Sequence, residues 1–189
     1  MNKKHIIPII LIIIVLAILI FFVLNKEKEY SDDENTLYSI KFDNIKLRFE
    51  RYDYSLGQNQ IVGVEKSTNN GKTYEQLTDE PIIVSMEPKF IFLNKQLGFA
   101  ISKPNLTKSN DYMGVKVTQD GGKTFVNGKI NYNNPNIDIL TVEEVPYYDD
   151  GLLMLHCSIY QIKDDHTGYE DVDLIFISND DGLSWNLNE

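Results

Sequence analysis

Three octets decide how this chain folds: STNNGKTY at residues 67–74, TQDGGKTF at 118–125 and SNDDGLSW at 178–185. All three fit one template. Ser or Thr comes first, and Asp or Asn, Gly, Thr or Ser, and an aromatic residue follow at fixed spacing. The octets start 51 and 60 residues apart, a spacing that indicates one supersecondary unit for each octet. The sequence therefore predicts a fold with internal repeats.

Each octet has the residue types of a hairpin turn. Glycine adopts the positive φ that a tight reversal needs, and a short Asp or Asn side chain accepts hydrogen bonds from backbone N–H groups within the turn. The aromatic residue then returns to a packing surface. The predicted turn residues are Ser67, Asn69, Gly71 and Tyr74 in the first octet, Thr118, Asp120, Gly122 and Phe125 in the second, and Ser178, Asp180, Gly182 and Trp185 in the third.

Short apolar or alternating runs surround the octets and predict β-strands. No run with 3.6-residue periodicity appears from residue 36 onward, so we expect an all-β domain over residues 36–189. The predicted strands are LYSIKF, IKLRFERY, IVGVEKS, KFIFL, LGFAIS, MGVKVT, IDILTV, LLMLHCSIY and DLIFIS.

The octets resemble Asp-boxes, the bacterial neuraminidase repeats (S-x-D-x-G-x-x-W) found between the third and fourth strands of sialidase-type β-propeller blades. The first octet departs from that pattern at Asn69 and Tyr74, and the second departs at Phe125. The segment FLNKQLGFA at 92–100 is similar to the hairpin that opens blades in propeller-type photosystem II assembly factors. There Asn94 stands for Asp, and Phe99 stands for Trp.

The resemblance implies about three four-stranded antiparallel units, with blades at 36–80, 88–130 and 137–189. Closed propellers have four to eight blades. Two arrangements stay open for three. The blades form an open, partial propeller, or a homodimer completes a six-bladed ring and covers the exposed edge strands.

An apolar run precedes the domain. Residues 6–24 (IIPIILIIIVLAILIFFVL) contain no charged or polar side chain, and 19 helical residues nearly span a hydrocarbon core of about 30 Å. No small-residue cleavage site and no cysteine follow the run. We therefore expect an uncleaved signal-anchor helix over 1–25 and a charged linker over 26–35. The short amino-terminal tail favours a cell-membrane protein with its amino terminus inside and its β-domain extracytoplasmic.

The charge of the domain restricts its partners. Residues 30–189 carry 14 Lys and Arg against 26 Asp and Glu, a net charge of −12. Such a surface repels nucleic acid and anionic lipid headgroups. The chain has one cysteine, Cys157, which excludes an intrachain disulfide framework.

No catalytic constellation is predicted. Sialidases, the enzymes of the family that the octets resemble, hold the substrate carboxylate with three arginines. This chain has only two, Arg48 and Arg51. His156 and Cys157 are adjacent on a predicted strand, so they point to opposite faces. The acidic cluster at 164–173 lacks EF-hand spacing, and we interpret it as a solvated hairpin loop. No metal, cofactor or phosphate-loop pattern is present.

Tyrosines are frequent, and Tyr147 and Tyr148 are the first candidates for a contact surface. Exposed tyrosines suit contact with a protein or a glycan, although packing between blades explains such residues equally well. The expected function is a non-enzymatic binding or assembly module of the bacterial envelope. The alternative is a glycan-binding or glycoside-hydrolase-like domain of the sialidase superfamily.

Overall fold

A computed structural model describes residues 34–54, 59–102, 114–132, 137–162 and 168–188. These residues form β-strands and turns and no helix, which confirms the prediction of an all-β domain. No helix with the length and apolar character of a membrane span occurs among them. The predicted signal anchor at 1–25 and residues 26–33 of the predicted linker lie outside the described residues.

The strands form three sheets, A, B and C, in chain order. Sheet A contains β1 (Thr36–Phe42), β2 (Ile45–Tyr54), β3 (Gln60–Ser67), β4 (Glu75–Gln76) and β5 (Ile82–Val84). Sheet B contains β6 (Lys89–Phe92), β7 (Gly98–Ile101), β8 (Val115–Thr118) and β9 (Val126–Asn127). Sheet C contains β10 (Lys129–Asn131), β11 (Ile137–Val142), β12 (Tyr147–Asp149), β13 (Leu152–Ile162), β14 (Tyr169–Ser178) and β15 (Ser184–Leu187).

All nine predicted strands are present, but the prediction of four strands in every unit is correct only for sheet B. In sheet A, β5 pairs with β3 beyond the end of β4. In sheet C, β12 pairs with β13, and β10 pairs with β15 in parallel. These extra strands have three residues each, too few to show periodicity in the sequence.

Sheet B lies between the other two sheets. One core cluster joins sheet A to sheet B through residues such as Phe49, Val64 and Phe90. The other cluster joins sheet B to sheet C through residues such as Phe99 and Trp185. We call the face of a sheet that points to the following sheet its front face, and the opposite face its back face. In the described residues, neither cluster contains a side chain from the back face of sheet A or the front face of sheet C.

Candidate functional site

Each sheet contains a path of four neighbouring antiparallel strands: β1-β2-β3-β4 in sheet A, β6-β7-β8-β9 in sheet B and β11-β13-β14-β15 in sheet C. Each octet connects the third and fourth strands of this path, namely β3 to β4, β8 to β9 and β14 to β15. In the third octet, the N–H of Gly182 donates to Ser178 Oγ at 2.8 Å, and this hydroxyl donates to Asp180 Oδ1 at 2.8 Å. The N–H of Ser184 also donates to Asp180 Oδ1, at 2.8 Å. The other two octets repeat this pattern with their own residues. The side chains at the first and third positions therefore close each turn.

The octet carboxylates are held in their ionised form. Burial works against ionisation of Asp120, but hydrogen bonds from Thr124, Thr118 and the Lys123 N–H outweigh it and lower the pKa. The pKa of Asp180 is lowered in the same way, through Ser184 and Ser178. Asn69 makes the equivalent bonds in the first octet without a charge. The Ser, Thr, Asp and Asn side chains that define the octet template are thus hydrogen-bonded within their own turns.

The aromatic residue of an octet contacts the preceding sheet. Phe125 of the second octet lies 6.1 Å from Phe49 of sheet A, measured between ring centroids. Trp185 of the third octet lies 6.1 Å from Phe99 of sheet B. Tyr74 of the first octet belongs to the first sheet and instead lies under Arg48 of its own sheet, whose Cζ is 3.9 Å from the ring centroid. The aromatic residue of an octet therefore packs on the preceding sheet in sheets B and C, which have one.

In the second strand of each sheet (β2, β7 and β13), the back face of sheet A is charged, whereas the back faces of sheets B and C are not. The three sheets can be aligned on their octets. The first octet residues, Ser67, Thr118 and Ser178, lie opposite residues of β2, β7 and β13, namely Lys46, Gly98 and Leu153. The aligned back-face residues are Lys46 and Arg48 in sheet A, Gly98 and Ala100 in sheet B, and Leu153 and Leu155 in sheet C. Small or apolar residues allow a preceding sheet to pack, and charged residues do not.

Three charged side chains on the back face of sheet A pair with one another. Arg48 Nη2 lies 2.8 Å from Glu65 Oε2, and Arg48 Nε lies 3.1 Å from Glu50 Oε1. Glu50 also accepts a hydrogen bond from Thr36 Oγ1 and is only 7% exposed. Burial, followed by the negative charges of Glu65 and Glu50, raises the pKa of Tyr52 beside them. These side chains form a polar network on the β1–β2–β3 part of this face, of the kind found at the end of a stack of repeats.

The front face of sheet C keeps much of the apolar character that the other front faces use for packing. Met154 occupies the position of Leu47 and Phe99, the buried front-face residues of sheets A and B. Ile175 occupies the position of Val64 and Val115 in the same alignment. The half-buried apolar residues of this face are Tyr147, Met154, Ile175 and Ile177.

Polar side chains continue this face toward the β13–β14 hairpin. His156 Nε2 lies 3.6 Å from Asp173 Oδ1, and Ser158 Oγ donates to Glu143 Oε1 at 2.6 Å. The neighbouring Cys157 points into the core, which confirms that His156 and Cys157 lie on opposite faces. Burial, with a smaller effect of the Glu143 charge, raises the pKa of Cys157 to about 12. This His and Cys therefore do not form a nucleophile and base pair.

Two tyrosines stack at the hairpin end of the front face. The rings of Tyr160 and Tyr169 are nearly parallel, at 7°, with centroids 4.7 Å apart. Their residues are 37% and 49% exposed. Local sequence does not predict this pair, because the two residues come together only through the register of β13 with β14. Alternation along two strands joined by a hairpin is the signal that would have identified it.

The predicted contact residues Tyr147 and Tyr148 point to opposite faces of sheet C. Tyr147 lies opposite Met154 and so belongs to the front face, whereas Tyr148 lies opposite the core residue Leu153. Tyr148 is nevertheless 52% exposed, because β12 runs along an edge of the sheet. Only Tyr147 shares a face with the tyrosine stack.

The predicted acidic loop at 164–173 is wrong at its carboxyl end, because β14 begins at Tyr169 and continues through Asp173 as a strand. Alternation over EDVDL explains this, since Val172 and Leu174 turn inward while Asp171 and Asp173 turn outward. Residues 163–167 lie outside the described part. No group of three or more metal-ligating side chains occurs in the described residues.

Neither the known protein-family models nor the curated proteins include a match to this chain. The resemblance to Asp-boxes therefore rests on the octet residues.

Proposed function

We propose that this chain is a membrane-anchored extracytoplasmic protein whose Asp-box-type β-domain is a non-enzymatic binding or assembly module. The domain binds a protein partner through the front face of sheet C. The observation that carries this proposal is the presence of apolar residues such as Met154 and Ile175 at positions where sheets A and B bury apolar residues against the next sheet. An apolar face of this kind favours contact with another protein.

The proposed architecture is an open, partial β-propeller. The position of each octet between the third and fourth strands supports the Asp-box assignment, and the stacking of sheet B between two neighbours supports blade-like units. A six-bladed ring of two chains would bury the back face of sheet A, including Lys46, Arg48 and Glu50. Because burying charged groups costs free energy, the homodimeric ring is not part of the proposal.

The anchor and location rest on residues 6–24, and cysteine labelling tests them. The single native cysteine is buried, so a cysteine introduced at the exposed Asp149 would be the main reactive thiol. We expect a membrane-impermeant maleimide to label Asp149→Cys on intact cells without lysis. Labelling that requires lysis would contradict the extracytoplasmic location.

Co-purification of the full chain from detergent-solubilised membranes tests the binding function. We expect a partner to co-purify with the native chain and to be lost with the front-face variant Met154→Glu/Ile177→Glu. The matched control is Ile61→Glu/Ile83→Glu, which places the same two charges on the back face of sheet A, where Ile61 lies opposite Ile83 and Ile83 is 51% exposed. Equal recovery with both variants would contradict a docking role for sheet C.

The stacked pair Tyr160 and Tyr169 favours one alternative, a glycan-binding domain, because sugars stack on flat aromatic faces. Binding of the domain to a glycan panel, lost on Tyr160→Leu/Tyr169→Leu, would support that alternative and replace the protein-binding proposal. Glycoside hydrolysis has less support. It needs two carboxyl groups that flank the bound sugar, whereas Glu50 and Glu65, the carboxyl pair on the back face of sheet A, both bind the Arg48 guanidinium.

A further inference from the structure

We propose that the protein partner inserts an arginine side chain against the Tyr160–Tyr169 stack. This inference rests on the proposed function, because it assigns chemistry to a partner of the same face. The two rings are exposed and parallel, and Asp171 lies directly opposite Tyr160 in the strand register. Among the described residues, no Lys or Arg side chain pairs with Asp171 or contacts either ring.

Both arginines of this chain lie over a tyrosine ring and also bind an oxygen acceptor. Arg48 lies over Tyr74 at 3.9 Å while it binds Glu65. Arg51 lies over Tyr54 at 5.0 Å, and its Nη2 donates to Asn35 Oδ1 at 2.9 Å. A tyrosine face combined with an oxygen acceptor therefore holds a guanidinium twice in this fold. The stack beside Asp171 offers the same two groups, and none of the described Lys or Arg residues fills the position of the guanidinium.

Charge selects a cationic partner rather than a second copy of this chain. The hairpin half of the front face carries Glu143, Asp171 and Asp173, and the lysine that the described residues place on this face, Lys129, lies on β10 at the far edge of the sheet. The domain has a net charge of −12 over residues 30–189, so two copies repel each other at this face. A partner with basic residues is attracted to it.

Arginine fits this position better than lysine. Its planar guanidinium stacks on an aromatic ring and still donates to a carboxylate, whereas the lysine ammonium is a strongly hydrated point charge. The neighbouring apolar residues Ile175 and Ile177 set the spacing. Asp171 lies four strand residues from Ile175, which is about 13 Å. The partner therefore presents apolar residues and, about 13 Å further along, an arginine.

A designed peptide tests this inference with the domain alone. Residues 34–189 form a separate compact unit that contains both core clusters, so the unit can be produced without the preceding residues. The probe is an extended peptide with two valines two residues apart and an arginine four residues further on. NMR titration of the labelled domain follows the amides of Tyr160, Asp171, Ile175 and Ile177. Three peptides are compared, with Arg, Lys or Glu at the cationic position.

We expect the Arg peptide to shift these amides and to bind about fivefold more tightly than the Lys peptide. Tyr160→Leu/Tyr169→Leu should weaken the Arg peptide about fivefold, and Asp171→Asn should weaken it about threefold. Asp149→Asn removes the same charge at the other end of the face and should have little effect. Because Asp171 is exposed, its variant tests the inference even if the tyrosine variant does not fold.

Two outcomes would overturn the inference. If all three peptides shift Ile175 and Ile177 equally and the variants have no effect, the arginine position is wrong, while docking on the apolar half stands. If no peptide shifts the front face, the arginine position also fails. The binding function is then judged separately, by co-purification with the full chain.

Discussion

The ring of Phe125 meets the ring of Phe49 edge to face, at an interplanar angle of 73° and a centroid distance of 6.1 Å. Phe125 ends the second octet, and Phe49 lies in the preceding sheet. Trp185 and Phe99 repeat the relationship one sheet later. The octet is thus both a turn within its own sheet and a contact with the sheet before it.

Loss of the contact between Trp185 and Phe99 should lower the stability of the domain. Trp185 is fully buried, so Trp185→Ala should lower the free energy of unfolding by about 3–5 kcal/mol. Tyr74→Ala removes the equivalent residue of the first octet, which is half-buried and has no preceding sheet. We expect this control to cost about 1 kcal/mol or less. Urea unfolding followed by circular dichroism measures both values. Equal losses would show that the octet aromatics do not contact a preceding sheet.

Gly182 should tolerate no side chain. Its φ is +87°, and an added Cβ would lie 2.4 Å from Phe99 Cε1. Gly151 is a matched control, because its φ is +81° and nothing lies within 4 Å of an added Cβ. Both Ala variants have the backbone cost of about 1–2 kcal/mol. Gly182→Ala should lose a further 1–3 kcal/mol, roughly, through overpacking. Identical urea midpoints for the two variants would contradict the close packing of the third octet on sheet B.

Acid should destabilise the domain through the octet carboxylates. The pKa values of Asp120 and Asp180 are lowered in the fold. Their contribution to stability is therefore complete above the unfolded pKa of about 3.9 and is lost as pH falls through the lower folded pKa. We expect the melting temperature to be nearly flat from about pH 7 to 5 and to fall below about pH 4.

Asp120→Asn/Asp180→Asn is the control for this acid response, because Asn69 already serves the same role in the first octet. The double variant should show a shallower fall in melting temperature below about pH 4. A smaller acid response should remain, since Lys95 lowers the pKa of Asp43 in the same direction. An unchanged pH profile would show that the octet carboxylates do not contribute.

Cys157 should be unreactive in the folded domain. It is fully buried, and its pKa is raised to about 12, so almost no thiolate exists at pH 8. Iodoacetamide should leave Cys157 unmodified under native conditions and alkylate it in urea, as measured by mass spectrometry. Rapid alkylation of the native domain would contradict the packing of sheet C against sheet B.

The main strands and the octet turns follow from local sequence. The run IKLRFERY alternates clearly and DLIFIS is continuously apolar over four residues, and the spacing from Ser178 to Trp185 specifies a turn without tertiary information. Local sequence does not predict the short strands β5, β10 and β12. Their pairing depends on neighbouring sheets, and three residues carry no period.

The candidate site was less predictable than the fold. The front face of sheet C depends on the register that places Met154 opposite Ile177 and Tyr160 opposite Asp171. No local pattern indicates which of two faces lacks a following sheet. The exposure expected of a tyrosine predicts Tyr147 as a contact residue. Only strand pairing shows which other residues share its face.

Site-specific photo-crosslinking in living cells tests the central claim most directly. A photoreactive residue replaces Ile177 on the front face of sheet C or, in a second strain, Ile83 on the back face of sheet A. If the front face is the docking surface, crosslinked adducts of defined mass form from position 177 and not from position 83. Adducts of the same mass and yield from both positions, or from position 83 alone, would contradict the account.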